Sequence, residues 1–388
     1  MRHPETRTVL LANPGADLYG SDRMALETVS ALVGQGRRVV VTVPAYGPLV
    51  PLLQAAGADV VRCPTPIPRK GLLNFRGALR LGYQTLVSIV PSLRVLHRSR
   101  ADTVIVNTIT APLWLALSRL TGRVTVCHLH EAEATVPGVL RRALYLPLLF
   151  SNRIIANSGF SLRVLRDAAP VLESRVTVVY NAVQGPAHVV PPRRTLDGPV
   201  RLLYVGRLSR RKGVHIAIEA LRLLIDRGRD VQLDLVGAIF PGNEAYEREL
   251  RELIALHRLE SRVLFAGFHA SVWDDIAASD IVLIPSLIDE PFGNTAVEAA
   301  LGARPAIVSE IGGLPEARQH STSSILTPPG DAAALAAAVC AVIDDWPGHT
   351  ARALADADIV AEAFSSPRYA REIENVLDEY VRSAGRSR

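Results

Sequence analysis

Short, nearly unbroken apolar runs alternate with amphipathic stretches along almost the whole chain. The first half contains TVLLAN (8–13), RVVVTVP (38–44), DTVIVNT (102–108), RVTVCHLH (123–130), NRIIANS (152–158) and RVTVVYNAV (175–183). The second half contains VRLLYVG (200–206), VQLDLVG (231–237), RVLFAGF (262–268), DIVLIPS (280–286) and RPAIVSE (304–310). A strand with one wet face would alternate apolar and polar residues, whereas these runs predict parallel strands covered on both sides. With helical patterns between them they predict βαβ units wound into α/β sheets.

The rhythm breaks at QGPAHVVPPRRTLDGP (184–199), rich in proline, glycine and charge. The chain thus divides into an α/β domain over 1–183, a linker over 184–199, a second α/β domain over 200–364 and a last helix over 365–388. That helix opens with Ser366 as N-cap and Pro367 at its first position, and it lines up Tyr369, Ile373, Val376, Leu377 and Tyr380. One of its faces must be covered, and the first domain is the expected partner. Two Rossmann-like domains would hold a ligand in the cleft between their strand C-termini.

Composition narrows the picture. A chain of 388 residues, 48% apolar and 21% charged, can build two cores and leaves little room for long disorder. Its three cysteines show no paired spacing, which predicts a reducing compartment and no metal cluster. No stretch offers the roughly 20 uninterrupted apolar residues of a spanning helix, the nearest (79–96) being broken by Arg80, Pro91 and Arg94. The first apolar run is too short for a signal peptide, so the expected location is cytoplasmic. A net charge of +5 favours an anionic partner, but aromatics are only 5% and no nucleic-acid-binding motif accompanies the charge. Nucleic acid is therefore not the expected partner.

Two segments carry chemistry. In VGRLSRRKG (205–213) a strand ends in a basic loop, and Lys212 is one of only two lysines among 43 basic residues. In PSLIDEPFGNTAVEAALGARPAIVSEIGGLPE (285–316), Pro291 and Gly293 rule out one helix joining Glu290 to Glu298. The spacing predicts a loop through Gly293 and a helix from Asn294 or Thr295, with the amides of Gly293, Asn294, Thr295 and Ala296 left free for an anion. Cations, a helix N-terminus and two carboxylates suit a diphosphate flanked by polyols, the chemistry of a nucleotide sugar. Taken singly, each feature is more often a solvated basic turn or a surface acid; their combination carries the reading.

These two segments, with YGSDRMALETVSALVGQGRRVVV (19–41), resemble the retaining glycosyltransferases of family 4, the "group 1" enzymes with the GT-B fold, over nearly the whole chain. The resemblance implies two Rossmann-like doubly wound domains facing a central cleft. It implies that Arg207 and Lys212 bind the donor diphosphate and stabilise it as it departs. Glu298 would hold the ribose hydroxyls and Glu290 the donor sugar, with the amides of Phe292, Gly293 and Asn294 seating sugar and phosphates; Thr295 joins the donor-binding candidates through its amide at the helix start. Gly20 would let backbone approach the diphosphate, although Tyr19-Gly20-Ser21 stands where the family has a double glycine. His130 would face the reacting sugar, with His128 as a competitor for that place.

The implied reaction is metal-independent transfer, of hexosyltransferase type and with retention, from a nucleoside diphosphate sugar to a polysaccharide or lipid-linked glycan precursor. No cofactor and no metal are expected. A nucleotide-sugar epimerase on the same fold and a non-catalytic sugar-nucleotide-binding protein are the rival readings. Residues 60–101 hold no Asp or Glu but eight Arg and Lys, among them Arg69 and Lys70, and 134–166 repeats the basic, apolar character. Such surfaces suit peripheral contact with an anionic membrane, on the inner face of the cell membrane. Arginine stems lying over an ordinary core would give the same composition.

Overall fold

The computed structural model describes residues 7–18, 20–67, 75–239 and 243–385, without the side chains of Phe75 and of 380–385. The chain forms two compact units, Met1–Ala182 with Ser366–Arg388, and Val183–Ser365.

The first unit runs β1 (Thr8–Ala12), α1 (Gly20–Gly34), β2 (Arg38–Val43), α2 (Leu49–Ala55), β3 (Asp59–Arg62), α3 (Phe75–Ser99) and β4 (Thr103–Val106). It continues through α4 (Pro112–Leu120), β5 (Val124–Leu129), α5 (Gly138–Tyr145), β6 (Arg153–Ala156), α6 (Gly159–Ala168) and β7 (Val176–Val178). Its seven strands lie in the order β3-β2-β1-β4-β5-β6-β7, and every pairing is parallel. Central β1 is buried at all five positions, as its uninterrupted apolar run demands. The edge strand β3 was not expected from the sequence. Its four residues, Asp-Val-Val-Arg, are at best half-buried, so they give too short and too polar a signal.

The second unit runs β8 (Val200–Val205), α7 (Val214–Asp226), β9 (Val231–Val236), α8 (Glu244–Leu256), β10 (Val263–Gly267), α9 (Trp273–Ala278) and β11 (Ile281–Ile284). Then follow α10 (Asn294–Leu301), β12 (Ala306–Ser309), α11 (Leu314–Ala317), β13 (Ile325–Thr327), α12 (Ala332–Asp344) and α13 (Trp346–Ala363). Its sheet has the order β10-β9-β8-β11-β12-β13, again all parallel, and three-residue β13 is the second edge strand unforeseen in the sequence. The polar 184–199 segment is fastened to this unit. Arg193 pairs with buried Asp280 at 2.7 Å, and buried Arg304 donates to Val190 O at 2.9 Å.

The last helix, α14 (Ser366–Gly385), lies on α1 of the first unit and buries Tyr369, Ile373, Val376 and Leu377. The Tyr380 side chain lies outside the described ones. Tyr369 Oη is 2.7 Å from Thr28 Oγ1, which ties α14 to α1 by a buried bond as well as by packing. Ser366 is the first residue of α14, and its hydroxyl donates to Glu27 at 2.8 Å.

Candidate active site

In the second unit, chain order reverses between β8 and β11, the place where doubly wound sheets bind ligands beyond their strand C-termini. The basic loop leaves β8 and the acidic loop leaves β11. Gly213, at φ 70°, closes a tight turn at Arg210–Lys212, and a Cβ there would stand 1.8 Å from Pro285 O. Only glycine allows so close an approach in that conformation. The two loops are then sewn together: Leu287 N donates to Arg211 O at 2.8 Å, and Arg211 Nη2 donates to Asp289 O at 2.9 Å.

The result is a cation on a carboxylate. Lys212 Nζ stands 2.9 Å from Glu290 Oε1, to which Ser286 Oγ also donates at 3.1 Å. Glu290 is only 7% exposed. Burial pushes its carboxyl up, but Lys212, Arg211 and the Ser286 hydroxyl together pull it below its ordinary value. Sequence reasoning assigned Lys212 to a diphosphate; in this structure it is paired with Glu290.

The acidic loop then turns through Gly293 (φ 117°) into α10, with Glu298 buried on the second turn. Gly313 N donates to Glu290 O at 2.7 Å, so the Gly-Gly turn of 312–313 braces the loop from behind. One expectation is corrected here: Ala296 N donates to Gly293 O at 3.0 Å, so that amide closes the helix turn instead of facing a ligand. Phe292 is buried edge-on against Phe364, 5.6 Å between centroids. Asn294 and Thr295 are half-buried at the start of α10. Arg207 extends an exposed side chain, and its carbonyl accepts from Tyr204 Oη at 2.8 Å.

His130 and Gly20 belong to the first unit. Gly20 is exposed at the start of α1, and a Cβ there would meet nothing within 4 Å, so local packing does not demand a glycine; neighbouring Tyr19 lies outside the described residues. His128 and His130 separate cleanly. His128 is fully buried in β5, while His130 follows the strand, half-buried, with its ring 4.0 Å from that of His128. Burial lowers the His130 pKa to about 3, and burial followed by the neighbouring imidazole lowers that of His128.

His130 is held at two points by residues that sequence reasoning passed over. Its Nε2 is 2.8 Å from Asn107 Oδ1, and its backbone N–H donates to Glu131 Oε2 at 3.2 Å. Glu131 also accepts from the Thr108 hydroxyl and from Ile109 N. Behind Asn107 lie Asn13 and Asp22. The available signal was that β1 and β4 are each followed directly by an asparagine, at the switch point of this sheet. Among the described residues, no three His, Cys, Asp or Glu side chains gather as a metal site requires.

Two doubly wound parallel sheets, the second with a cation–carboxylate loop pair at its switch point, define a protein of the GT-B class. Residues 19–184 match the family profile "Glycosyltransferase Family 4" and residues 199–345 match "Glycosyl transferases group 1", so that between them the two cover most of the chain. The chain belongs to the GT-B glycosyltransferases of the family 4 type.

Curated relatives include a glycogen synthase of Mycobacterium tuberculosis, 35% identical over 175 residues, which are 44% of this chain and 41% of that protein. A 2-deoxystreptamine glucosyltransferase of Streptomyces kanamyceticus is 35% identical over 152 residues, 38% of this chain and 37% of that one. The chain thus spans about two fifths of the length of these relatives. Among solved structures, Anabaena HepE in complex with UDP-glucose has a TM-score of 0.81 at 24% identity, over 96% of this chain and 99% of that one. The sucrose-phosphate synthase of Thermosynechococcus elongatus has a TM-score of 0.77 at 19% identity, over 97% and 100%. The named curated relatives are a glycogen synthase and a glucosyltransferase, which does not favour the epimerase reading.

Proposed function

We propose that the protein transfers a sugar, with retention, from a nucleoside diphosphate donor to a hydroxyl of a polysaccharide or lipid-linked glycan precursor. The observation that carries this reading is the Lys212–Glu290 pair at the β8/β11 switch point, with Arg207 in the same loop as Lys212. UDP and UDP-glucose bound in the Anabaena HepE structures support the donor class.

In the proposed reaction the anomeric C–O bond to the diphosphate breaks through an oxocarbenium-like state. The acceptor hydroxyl attacks from the face the diphosphate leaves, and its proton passes to the departing phosphate oxygen. Charge develops on that phosphate, where Arg207 offers a planar fork and Lys212 a mobile point charge. Glu290 holds the sugar and orients Lys212, while Glu298 takes the ribose hydroxyls. Arg207 and Lys212 supply the positive charge in place of a metal, so the reaction proceeds without one.

Peripheral contact with an anionic membrane, on the cytoplasmic face, is the setting we propose for a lipid-linked acceptor. Its support lies in α3, which buries Ser88, Ser92, Leu96 and Ser99 on one face. The opposite face exposes Leu79, Tyr83, Leu86, Val87 and Val90, while Arg76, Arg80, Arg94 and Arg98 are exposed toward the two ends of the helix. A surface helix normally turns its apolar side inward; this one also presents one outward, beside basic residues. In the 134–166 segment, Val139, Leu140, Leu146, Leu149 and Phe150 are exposed as well. Arg69 and Lys70 lie outside the described residues. No described helix is long and apolar enough to cross a membrane.

The test is turnover of a panel of UDP-, GDP- and ADP-sugars with glycan and lipid-linked acceptors, with the product anomer read by NMR. Retained configuration and undiminished turnover in excess chelator are expected. Inverted product, or turnover abolished by chelator, overturns the reading.

A further inference from the structure

A chain of hydrogen bonds in the first unit, buried except at its last link, leads from a carboxylate to the His130 ring, and its direction is fixed. Asn13 Nδ2 donates to Asp22 Oδ1 at 3.0 Å and to Gly15 O at 2.9 Å. Both partners only accept, so the Asn13 amide must turn its nitrogen toward them and its oxygen away. That oxygen accepts from Asn107 Nδ2 at 2.7 Å, and the same nitrogen donates to Ser21 O at 3.0 Å. Asn107 is fixed in turn, with its own Oδ1 facing His130 Nε2 at 2.8 Å. An amide oxygen cannot donate, so the proton between them sits on Nε2.

Asn13, Asp22 and Asn107 are all buried, and such a chain tolerates no flipped member without setting two acceptors face to face. The four residues come from the ends of β1, β4 and β5 and the first turn of α1, which brackets the β1/β4 switch point. Among the described residues, the nearby Glu131 and His128 side chains do not compete for Nε2. The Glu131 carboxylate is engaged with the His130 backbone, Thr108 and Ile109, and the His128 ring lies against the His130 face.

We propose that Asp22, Asn13 and Asn107 are positioning residues that lock His130 as the Nε2–H tautomer and so present Nδ1 as the acceptor for a hydroxyl of the donor sugar. The claim rests on the proposed function for its ligand but not for its tautomer. A neutral imidazole with one nitrogen committed behind it offers a single lone pair in one direction. It selects a sugar bearing a hydroxyl there, and it cannot protonate the leaving group. An imidazole trapped in the wrong tautomer can lose turnover by a factor on the order of 10⁴.

The test begins on the unliganded wild-type protein, by long-range ¹H–¹⁵N correlation of its histidine rings with His130→Gln as the assignment control. The expected pattern for His130 is a protonated Nε2 and a bare Nδ1 at neutral pH; a protonated Nδ1, or a mixture of tautomers, overturns the proposal. Asn107→Asp sets a carboxylate on Nε2 and is expected to make the ring titrate at higher pH. Asp22→Asn frees the anchor and is expected to admit the second tautomer. In steady state both are expected to lower kcat by about tenfold or more, with inhibition by free nucleoside diphosphate unchanged. If the tautomer shifts in the variants but kcat holds, the relay stands, and the assignment of His130 to the reacting sugar fails with that part of the proposed function.

Discussion

Lys212 and Glu290 meet at 2.9 Å because Gly213 lets one loop rest directly on the backbone of another. Gly213→Ala would drive a methyl group into Pro285 O in a left-handed conformation that alanine resists. The expected loss is more than about 2 kcal/mol of stability, read as a lower urea midpoint. Gly20→Ala provides the contrast. With nothing within 4 Å of its added carbon, stability should hold to within about 0.5 kcal/mol while the donor KM rises. Equal midpoints for the two variants would contradict this account.

The ion pair itself is open to a double-mutant cycle. Lys212→Ala and Glu290→Gln should each lower turnover by roughly 10²- to 10³-fold, the scale for losing one preorganised electrostatic group. Together they should cost less than the product of the two, because Glu290 orients Lys212, with a coupling of about 1–3 kcal/mol. Strict additivity would show that the two act independently.

The pH dependence of stability has two separable causes. The His130 pKa is lowered from 6.5 to about 3, so the folded state binds fewer protons than the unfolded one between those values. Its contribution is complete above pH 6.5 and is lost as pH falls toward 3, at about 1.4 kcal/mol per pH unit. His128 shifts in the same direction and adds to the slope. The lowered Glu290 pKa contributes stability that is complete above its ordinary value of 4.5 and fades as pH falls through its lowered value. Urea midpoints at pH 7, 5.5 and 4 should therefore show His130→Gln flattening the whole acid limb and Glu290→Gln only its lower end. Parallel curves for His130→Gln and wild type would remove burial as the cause.

Arg304 is 1% exposed and donates to Ala277 O and Ser279 O at 2.7 Å and to Gly302 O and Val190 O at 2.9 Å. Arg304→Met leaves several carbonyls unanswered, and should cost about 2–4 kcal/mol by equilibrium unfolding. Turnover per folded molecule should be unchanged. A fall in kcat beyond the folded fraction would implicate the residue in catalysis.

If α3 is the membrane face, wild type should sediment with vesicles rich in phosphatidylglycerol at low salt and release as salt screens the arginines. Leu86→Glu with Val90→Glu should abolish sedimentation while leaving the melting temperature close to that of wild type, since both side chains are already exposed. Binding that survives these changes excludes the α3 face.

The strands with two covered faces were legible because burial on both sides leaves an uninterrupted apolar run, as in β1 and β11. β3 and β13 were not legible, since four and three residues at a sheet edge carry neither length nor period. For the site, Arg207, Lys212, Glu290 and Glu298 were marked by local punctuation from Pro291, Gly293 and Gly213. Asn107 and Asn13 escaped, and Asp22 reads in sequence only as a residue favouring the start of α1, because their role lies in three strand ends and a helix turn meeting across a sheet, which nothing local in sequence announces.

The chain enters the second unit at Val183 and leaves it at Ser365, and Val183 N donates to Phe364 O at 3.0 Å, so the two ends of that unit lie side by side. Topologically it is a cassette inserted into the first unit, whose core is finished only by the final helix. A ribosome must therefore make the whole of the second unit before the earlier-made half can close, whereas the cassette itself is encoded by one contiguous gene segment.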